Sequence, residues 1–323
     1  MPDSVFLRNE LSIRFIQALK LLSLPTMPSH MDTAMAPIID KYLQHLYLLS
    51  STPQLSTNEN IQSFIDVINE IQQSHLDTLC LFASTVNTHS SLLDNKPTLN
   101  PSFYEKFYLL NMSSALLMNE FISLSKSRTN LVKSIDLLDT TSMIAQESIH
   151  AFKSKGLKCP DINVLDLNES VKTNALYYEP HLKSILYELF DNSIKATIKT
   201  HSSMNHLPPI QVKIAAGNED VSIQISDQAG GIPLSKVSTL WSRNLVFHKL
   251  TKSKPFGTNL ASCNLMAKYF GGDLSLVSME GLGTDTTLHL HQLGDHAVEN
   301  LSDIHGVEVE DSSTWLLNLL SKQ

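Results

Sequence analysis

The stretch HLKSILYELFDNSIKAT, residues His181 to Thr197, decides how this chain is read. Leu182, Ile185, Leu186 and Leu189 recur at helical spacing and define one apolar face. Pro180 stands just ahead of it, where a helix tolerates proline because a first-turn N–H has no intrahelical acceptor. His181, Ser184, Glu188, Asn192 and Lys195 follow at gaps of 3, 4, 4 and 3, which makes a second, polar stripe. On a generic helix such a stripe is the solvated face. An acid, an amide and a lysine in one row can instead face a charged ligand, and the neighbouring sequence decides between the two.

Two later stretches favour the ligand. In SDQAGGIP, Ser226 to Pro233, a strand ends at Asp227 and the chain turns at Gly230, Gly231 and Pro233. A carboxylate leaving a strand into a glycine turn is placed to accept an amine hydrogen bond, and the glycines let a flat ring approach the backbone. In KPFGTNLASCNLMAKYFGGDLSLVSMEGLGTD, Lys254 to Asp285, a glycine-containing loop runs into a helix, whose first N–H groups can meet phosphate. Gly271-Gly272 then reads as the helix stop. Each signal alone is a turn; together, in this order and spacing, they resemble a known nucleotide pocket.

Outward from this site the chain divides into two halves. Before it, IQSFIDVINEIQQ places Ile61, Phe64, Ile65, Ile68 and Ile71 on one helical side. FYEKFYLLNMSSALLMNEFISLS continues the pattern, and further helices are expected in LSIRFIQALKLL, APIIDKYLQHLYLL and LLDTTSMIAQESIHAFKSK. Four or five long helices with short Pro-, Asn- and Ser-rich breaks predict an antiparallel bundle. After GLKCP, Gly156 to Pro160, the period changes. IQVKIAA, VSIQISD, DLSLVSM and TDTTLHLH alternate as strands do, with helices expected over Lys183 to Ile198 and Ala261 to Phe270. The fold class is therefore α+β: an N-terminal antiparallel helical bundle followed by a mixed sheet with helices on one face. The expected boundaries are 1–157 for the bundle, 158–294 for the α/β domain and 295–323 for an acidic C-terminal tail.

Composition excludes some partners. The 323 residues carry 24 Lys and Arg against 32 Asp and Glu, a net charge of −8, so no basic excess exists to bind nucleic acid. The three cysteines, Cys80, Cys159 and Cys263, show no C-x-x-C spacing, which fits a reducing compartment. No apolar run reaches the ~18 residues of a membrane span. MPDSVFLRNE has neither a signal core nor an Arg-rich presequence, so the N-terminus alone reads as cytosolic or as a chain lacking its start.

The pocket motifs resemble the ATPase domain shared by histidine kinases, type II topoisomerases, mismatch-repair ATPases and one class of heat-shock chaperone, the GHKL type. FLRNELSIRFIQALKLLSLP, HLKSILYELFDNSIKAT, ISDQAGGIPLSKV and MAKYFGGDLSLVSMEGLGTDTTLHL are similar to the mitochondrial pyruvate dehydrogenase kinase and branched-chain ketoacid dehydrogenase kinase family across nearly the whole chain. The resemblance implies a protein serine kinase that phosphorylates and inactivates the E1 component of a 2-ketoacid dehydrogenase complex. It implies ATP and Mg²⁺ as cofactors and Glu188 as the base that deprotonates the substrate serine. Asn192 would hold Mg²⁺, and Asp227 would accept the adenine amine with Gly231 and Thr284 beside the ring. Lys195 and the loop residues Gly257, Thr258, Asn259 and Leu260 would lie near the phosphates. It also implies docking on the lipoyl-bearing E2, a homodimer formed through the ATPase-domain sheets or a heterodimer with a related kinase, and a place in the mitochondrial matrix.

Several positions depart from the family pattern. The D-x-G-G-G turn has Ala229 for its first glycine, a strain of roughly 1 kcal/mol if that residue takes positive φ. The phosphate loop, G-x-G-x-G in the family, reads Pro255-Phe256-Gly257-Thr258-Asn259: Pro255 lacks an N–H, while Asn259 tolerates left-handed backbone. The segment LWSRNLVFHKLTKSK is shorter than the family's lid, with Lys249, Lys252 and Lys254 as its available charge. Ser184 replaces a histidine one turn before the base, Glu120 and Phe121 stand where a bundle histidine is usual, and Thr314-Trp315 echoes the family's Asp-Trp. Two alternatives therefore stand beside the kinase: a catalytically weak or silent relative that docks on the same complex, and a histidine autokinase using His150. The second lacks the acidic residue that follows a typical phosphoacceptor histidine.

Overall fold

A computed structural model describes residues 2–23, 29–53, 57–92, 101–167, 173–204, 206–217, 220–242 and 259–291. The first half is four long helices: α1 (Pro2–Leu22), α2 (Ser29–Ser51), α3 (Asn58–Leu92) and α4 (Pro101–Ser127). Each packs on its sequence neighbour, and α4 closes back on α1, so the bundle is a ring of four. Its apolar stripes meet in the middle: Leu11, Phe15 and Leu19 of α1, Tyr42 of α2, Phe64 and Ile68 of α3 and Phe107 of α4 are all buried. Ile61 and Ile65 flank that line half-exposed rather than joining it.

The bundle core is not uniformly apolar. Tyr42 donates its hydroxyl to Asn111 Oδ1 at 2.5 Å, and His45 and His75 lie beside it at a ring-centre separation of 6.1 Å. Both imidazoles are almost fully buried, and burial is the main cause that pushes them down, His45 to about 3 and His75 to about 4. Desolvation penalises the charged ring, so both are neutral in the folded chain.

The second half begins with β1 (Val132–Asp136) and α5 (Leu137–Lys153), the latter capped by the Asp136 carboxylate, which accepts the Asp139 N–H. β2 (Ile162–Asp166), β3 (Asn174–Tyr178), α6 (Glu179–Thr200), β4 (Ile210–Ala216), β5 (Asp220–Asp227), α7 (Leu234–Ser242), α8 (Leu260–Tyr269), β6 (Asp273–Met279) and β7 (Gly283–His291) follow. The main sheet has the order β2-β4-β5-β7-β6; β2 and β4 are parallel and the other neighbours antiparallel, which makes it mixed. Val212, Ile214, Ile223, Ile225 and Leu288 share its buried face, under α6 and α8. A separate two-stranded sheet pairs β1 with β3 antiparallel. α5, which a boundary at 157 leaves with the bundle, packs against α6 and β2.

The expected helix at Lys183 to Ile198 is the middle of α6, with Pro180 in its first turn. Gly271 and Gly272 stop α8 as anticipated: Gly271 has φ +80° and the Gly272 N–H returns to the Ala267 carbonyl. Strands β1, β2 and β3 and helix α7 were not anticipated. The tail from 295, with Thr314-Trp315, and the lysines 249, 252 and 254 lie outside the described residues.

Candidate active site

The site is built on one face of α6 and the ends of β5 and β7. Glu188 is turned inward, with 8% of its surface exposed, and Asn192 one turn later donates its Nδ2 to Glu188 Oε1 at 3.3 Å. Next to Asn192 in sequence, Ser193 is buried and hydrogen-bonds the Asp227 carboxyl, joining α6 to the end of β5. Asp227 Oδ1 also accepts the Ala229 N–H at 3.0 Å and the Thr284 N–H at 3.2 Å. Burial raises the Asp227 carboxyl above its usual range and the nearby Asp285 adds to this, while the three hydrogen bonds oppose it.

Thr284 pairs with Asp227 in the β5–β7 ladder, so the strand register itself brings the two together. Its hydroxyl meets Ser278 Oγ at 2.9 Å, and Ser278 also accepts the Ile232 N–H at 2.7 Å. The glycine turn is thus tied to the β6–β7 hairpin, a tie completed by the Gly281 N–H to the Gly230 carbonyl at 2.8 Å. The approach is too close for a side chain. Gly231 has φ +70°, and a Cβ there would lie 2.1 Å from the Met279 carbonyl oxygen. At Gly283 a Cβ would lie 1.9 Å from the carbonyl oxygen of Asp227.

Three sequence expectations change. Among the described residues Arg128 is the only non-glycine with positive φ, so Ala229 sits in backbone open to any residue and brings no strain. Ala229 instead contributes its N–H to Asp227 and its carbonyl to the Thr200 hydroxyl at 2.9 Å. Asn259 likewise needs no left-handed backbone: at φ −134° it is the N-cap of α8. The polar stripe of α6 does not act as one face. His181 is buried among Tyr178, Tyr269 and Phe270 with its pKa lowered to about 3 by desolvation, and Ser184 donates back to the Pro180 carbonyl. Helical spacing groups residues within ~100° of arc, wide enough that one edge meets the core.

The remaining expected residues fall as follows. Lys195 is exposed and forms an ion pair with Asp191 one turn back. Leu260, half-buried, opens α8 and packs on the core. Gly257 and Thr258 lie outside the described residues. Sequence reasoning passed over Ser193 and Ser278. Counting back across the EGLG hairpin from Thr284 reaches Ser278 as its directly paired neighbour, and that signal was available.

As chemistry, the arrangement offers a buried carboxylate beside an amide and, across Ser193, a carboxylate fixed at a strand end with a hydroxyl at its side. With its Nδ2 on Glu188, Asn192 turns Oδ1, a hard oxygen ligand, to the other side of the amide, which fits a Mg²⁺ held mostly by phosphates and water. Asp227 Oδ1 takes the two backbone N–H groups, and the same carboxyl is bonded by Ser193.

Comparison with known proteins places this geometry. Residues 177–294 match the family of histidine kinase-, DNA gyrase B- and HSP90-like ATPases, the class to which the sheet, α6 and the Asp227 turn belong. Residues 1–150 match the mitochondrial branched-chain α-ketoacid dehydrogenase kinase family. Pyruvate dehydrogenase (acetyl-transferring) kinase isozyme 4, mitochondrial, of Homo sapiens is 28% identical over 322 residues, covering 92% of this chain and 78% of its own. The same isozyme of Ictidomys tridecemlineatus is 28% identical over 326 residues with the same coverage. Isozyme 1 of Mus musculus is 28% identical over 326 residues, 92% of this chain and 74% of its own. The chain is a divergent member of the mitochondrial pyruvate dehydrogenase kinase and branched-chain ketoacid dehydrogenase kinase family.

Proposed function

We propose that this chain is an ATP-dependent protein serine kinase that phosphorylates, and so inactivates, the E1 component of a 2-ketoacid dehydrogenase complex. The observation that carries the reading is the linkage of Glu188 and Asn192 through Ser193 to Asp227 and Thr284. Adenine would present its amine to Asp227, with Gly231 and Thr284 beside the ring. Asn192 would hold Mg²⁺, which when bound with ATP neutralises the charge on the transferring phosphate. Glu188, held by Asn192, would accept the proton of the substrate serine hydroxyl as its oxygen attacks the γ-phosphorus. Lys195 would add positive charge near the phosphates if it leaves Asp191. Phosphoryl transfer asks mainly for positioning and charge cancellation, and these residues supply both.

The same reading brings E1 as substrate, lipoyl-bearing E2 as docking partner, a homodimer or a heterodimer with a related kinase, and a place in the mitochondrial matrix, supported by relatives whose names say mitochondrial. A second reading, a weak or silent kinase that serves as a docking subunit, is favoured by one observation: the N-terminus of α8 is capped by the protein itself. Calorimetry with ATP, with and without Mg²⁺, tests the first reading on the protein and on Asn192→Ala. Mg²⁺-dependent binding lost in Asn192→Ala, followed by acid-stable phosphoserine on E1, is expected. No binding at millimolar ATP refutes the kinase and leaves the docking subunit.

A further inference from the structure

Ser278, Thr284 and Asp227 stand in one row across three strands: Ser278 of β6 pairs with Thr284 of β7, and Thr284 pairs with Asp227 of β5. Directly paired residues point to the same side of a sheet, so the two hydroxyls and the carboxylate share a face. Thr284 is buried, and its N–H reaches Asp227 Oδ1 at 3.2 Å. Its hydroxyl lies 2.9 Å from Ser278 Oγ and makes no other hydrogen bond among the described residues. Ser278 Oγ has three polar neighbours and a single proton. It accepts the Ile232 N–H at 2.7 Å, so its proton goes either to Thr284 Oγ1 at 2.9 Å or to the Gly283 carbonyl at 3.3 Å. Only the shorter of the two lies within the usual O–H···O range, so Ser278 donates to Thr284. Thr284 then directs its own proton away from Ser278.

We infer that Ser278 is a positioning residue that makes the Thr284 hydroxyl a donor toward the ligand, so that the site offers a donor beside the Asp227 acceptor and reads a ring nitrogen next to an amine. The inference rests on the nucleotide reading above and adds how that site recognises its base. Adenine matches the pattern: its amine donates to Asp227, and an adjacent ring nitrogen, N1 or N7, accepts from Thr284. Guanine and hypoxanthine carry a carbonyl oxygen in place of that amine, and Asp227 alone rejects them, acceptor against acceptor. The ring nitrogen is the part read by the Ser278–Thr284 pair. One neutral hydrogen bond of this kind is worth about three- to tenfold in affinity.

The test measures adenosine, 1-deazaadenosine and 7-deazaadenosine by calorimetry on the full chain, Thr284→Val, Ser278→Ala and Ser278→Thr. Each deaza compound exchanges one ring nitrogen for C–H and keeps the amine. One of the two should bind the unaltered chain about three- to tenfold more weakly than adenosine. That ratio should fall to near one in Thr284→Val and below about twofold in Ser278→Ala, while Ser278→Thr, which keeps the hydroxyl, retains it. Ser278→Ala also takes away the partner of the Ile232 N–H, but a loosened glycine turn weakens all three ligands alike and leaves the ratio in place. An unchanged ratio in Ser278→Ala therefore overturns the inference and makes Ser278 structural only. Thr284→Val keeps the Ile232 bond, and an unchanged ratio there overturns the inference even if Ser278→Ala does not fold. Equal binding of all three compounds by the unaltered chain overturns it too. Adenosine that binds none of the four proteins refutes the nucleotide reading itself, a failure separate from the others.

Discussion

Acidification from pH 7 to pH 5 should unfold this protein through its buried histidines. His45 and His75 in the bundle and His181 in the aromatic cluster under α6 have folded pKa values of about 3, 4 and 3, each depressed first of all by burial. The unfolded chain returns them to about 6.5, so below that value it binds protons that the folded chain refuses. Stability is therefore full above pH 6.5 and lost as pH falls towards 4 and 3. Each ring costs about 1.4 kcal/mol per pH unit in that window, hence ~2 kcal/mol by pH 5 and ~6 kcal/mol for the three, against a total of roughly 5–15 kcal/mol for a domain. The carboxyls of Glu120 and Asp227, whose pKa values burial raises, work in the opposite sense as pH falls through their range, and the lowered Glu179 adds a loss at still lower pH. Urea unfolding followed by circular dichroism at several pH values reads the slope directly. A slope near three protons between pH 6 and 5 is expected, falling by one in His181→Phe; if the halves unfold separately, two protons belong to the bundle and one to the ATPase half. A slope under one proton would show that these rings are reached by water and that the burial argument is wrong.

Glu188→Gln should lower kcat for E1 phosphorylation by about 10²- to 10⁴-fold while ATP affinity stays within about threefold, read by single-turnover kinetics beside calorimetry; equal losses in both would make Glu188 a structural residue. Gly231→Ala must place a side chain at φ +70° against the Met279 carbonyl, costing at least ~2 kcal/mol in thermal unfolding and weakening adenosine binding. Ala229→Gly, by contrast, restores the family's glycine without relieving any strain. It should cost about 0.5–1 kcal/mol through added unfolded-chain freedom and leave ATP affinity unimproved; a clear gain in affinity would contradict the backbone described for that turn.

Much of the site was legible because its residues announce themselves locally. Glu188 and Asn192 interrupt an apolar helix one turn apart, and Asp227 ends an alternating strand at a glycine turn, so type and spacing made them candidates and the family resemblance gave them their expected roles. What stayed hidden is of two kinds. β1 and β3 are five residues each, and β1 buries only Ile135 fully; their pairing joins segments about 40 residues apart, which no local period reports. The contact of α4 with α8, which brings the bundle against the ATPase half, likewise leaves no local signal in either helix.

By itself, the sequence determined the two-part architecture, the strands of the main sheet from β4 onward and the candidate carboxylates, because period and residue chemistry are properties of neighbours along the chain. The tertiary structure alone decided which polar residues are usable. It buried His181 with rings, turned Glu188 inward, left Lys195 on the surface with Asp191, and found Ala229 unstrained where the motif suggested damage. It also closed the end of α8, a position the sequence could only describe as a missing glycine. The physical reason is that desolvation and hydrogen-bond competition depend on what lies across the fold from a residue, and those neighbours are set by packing rather than by distance along the chain.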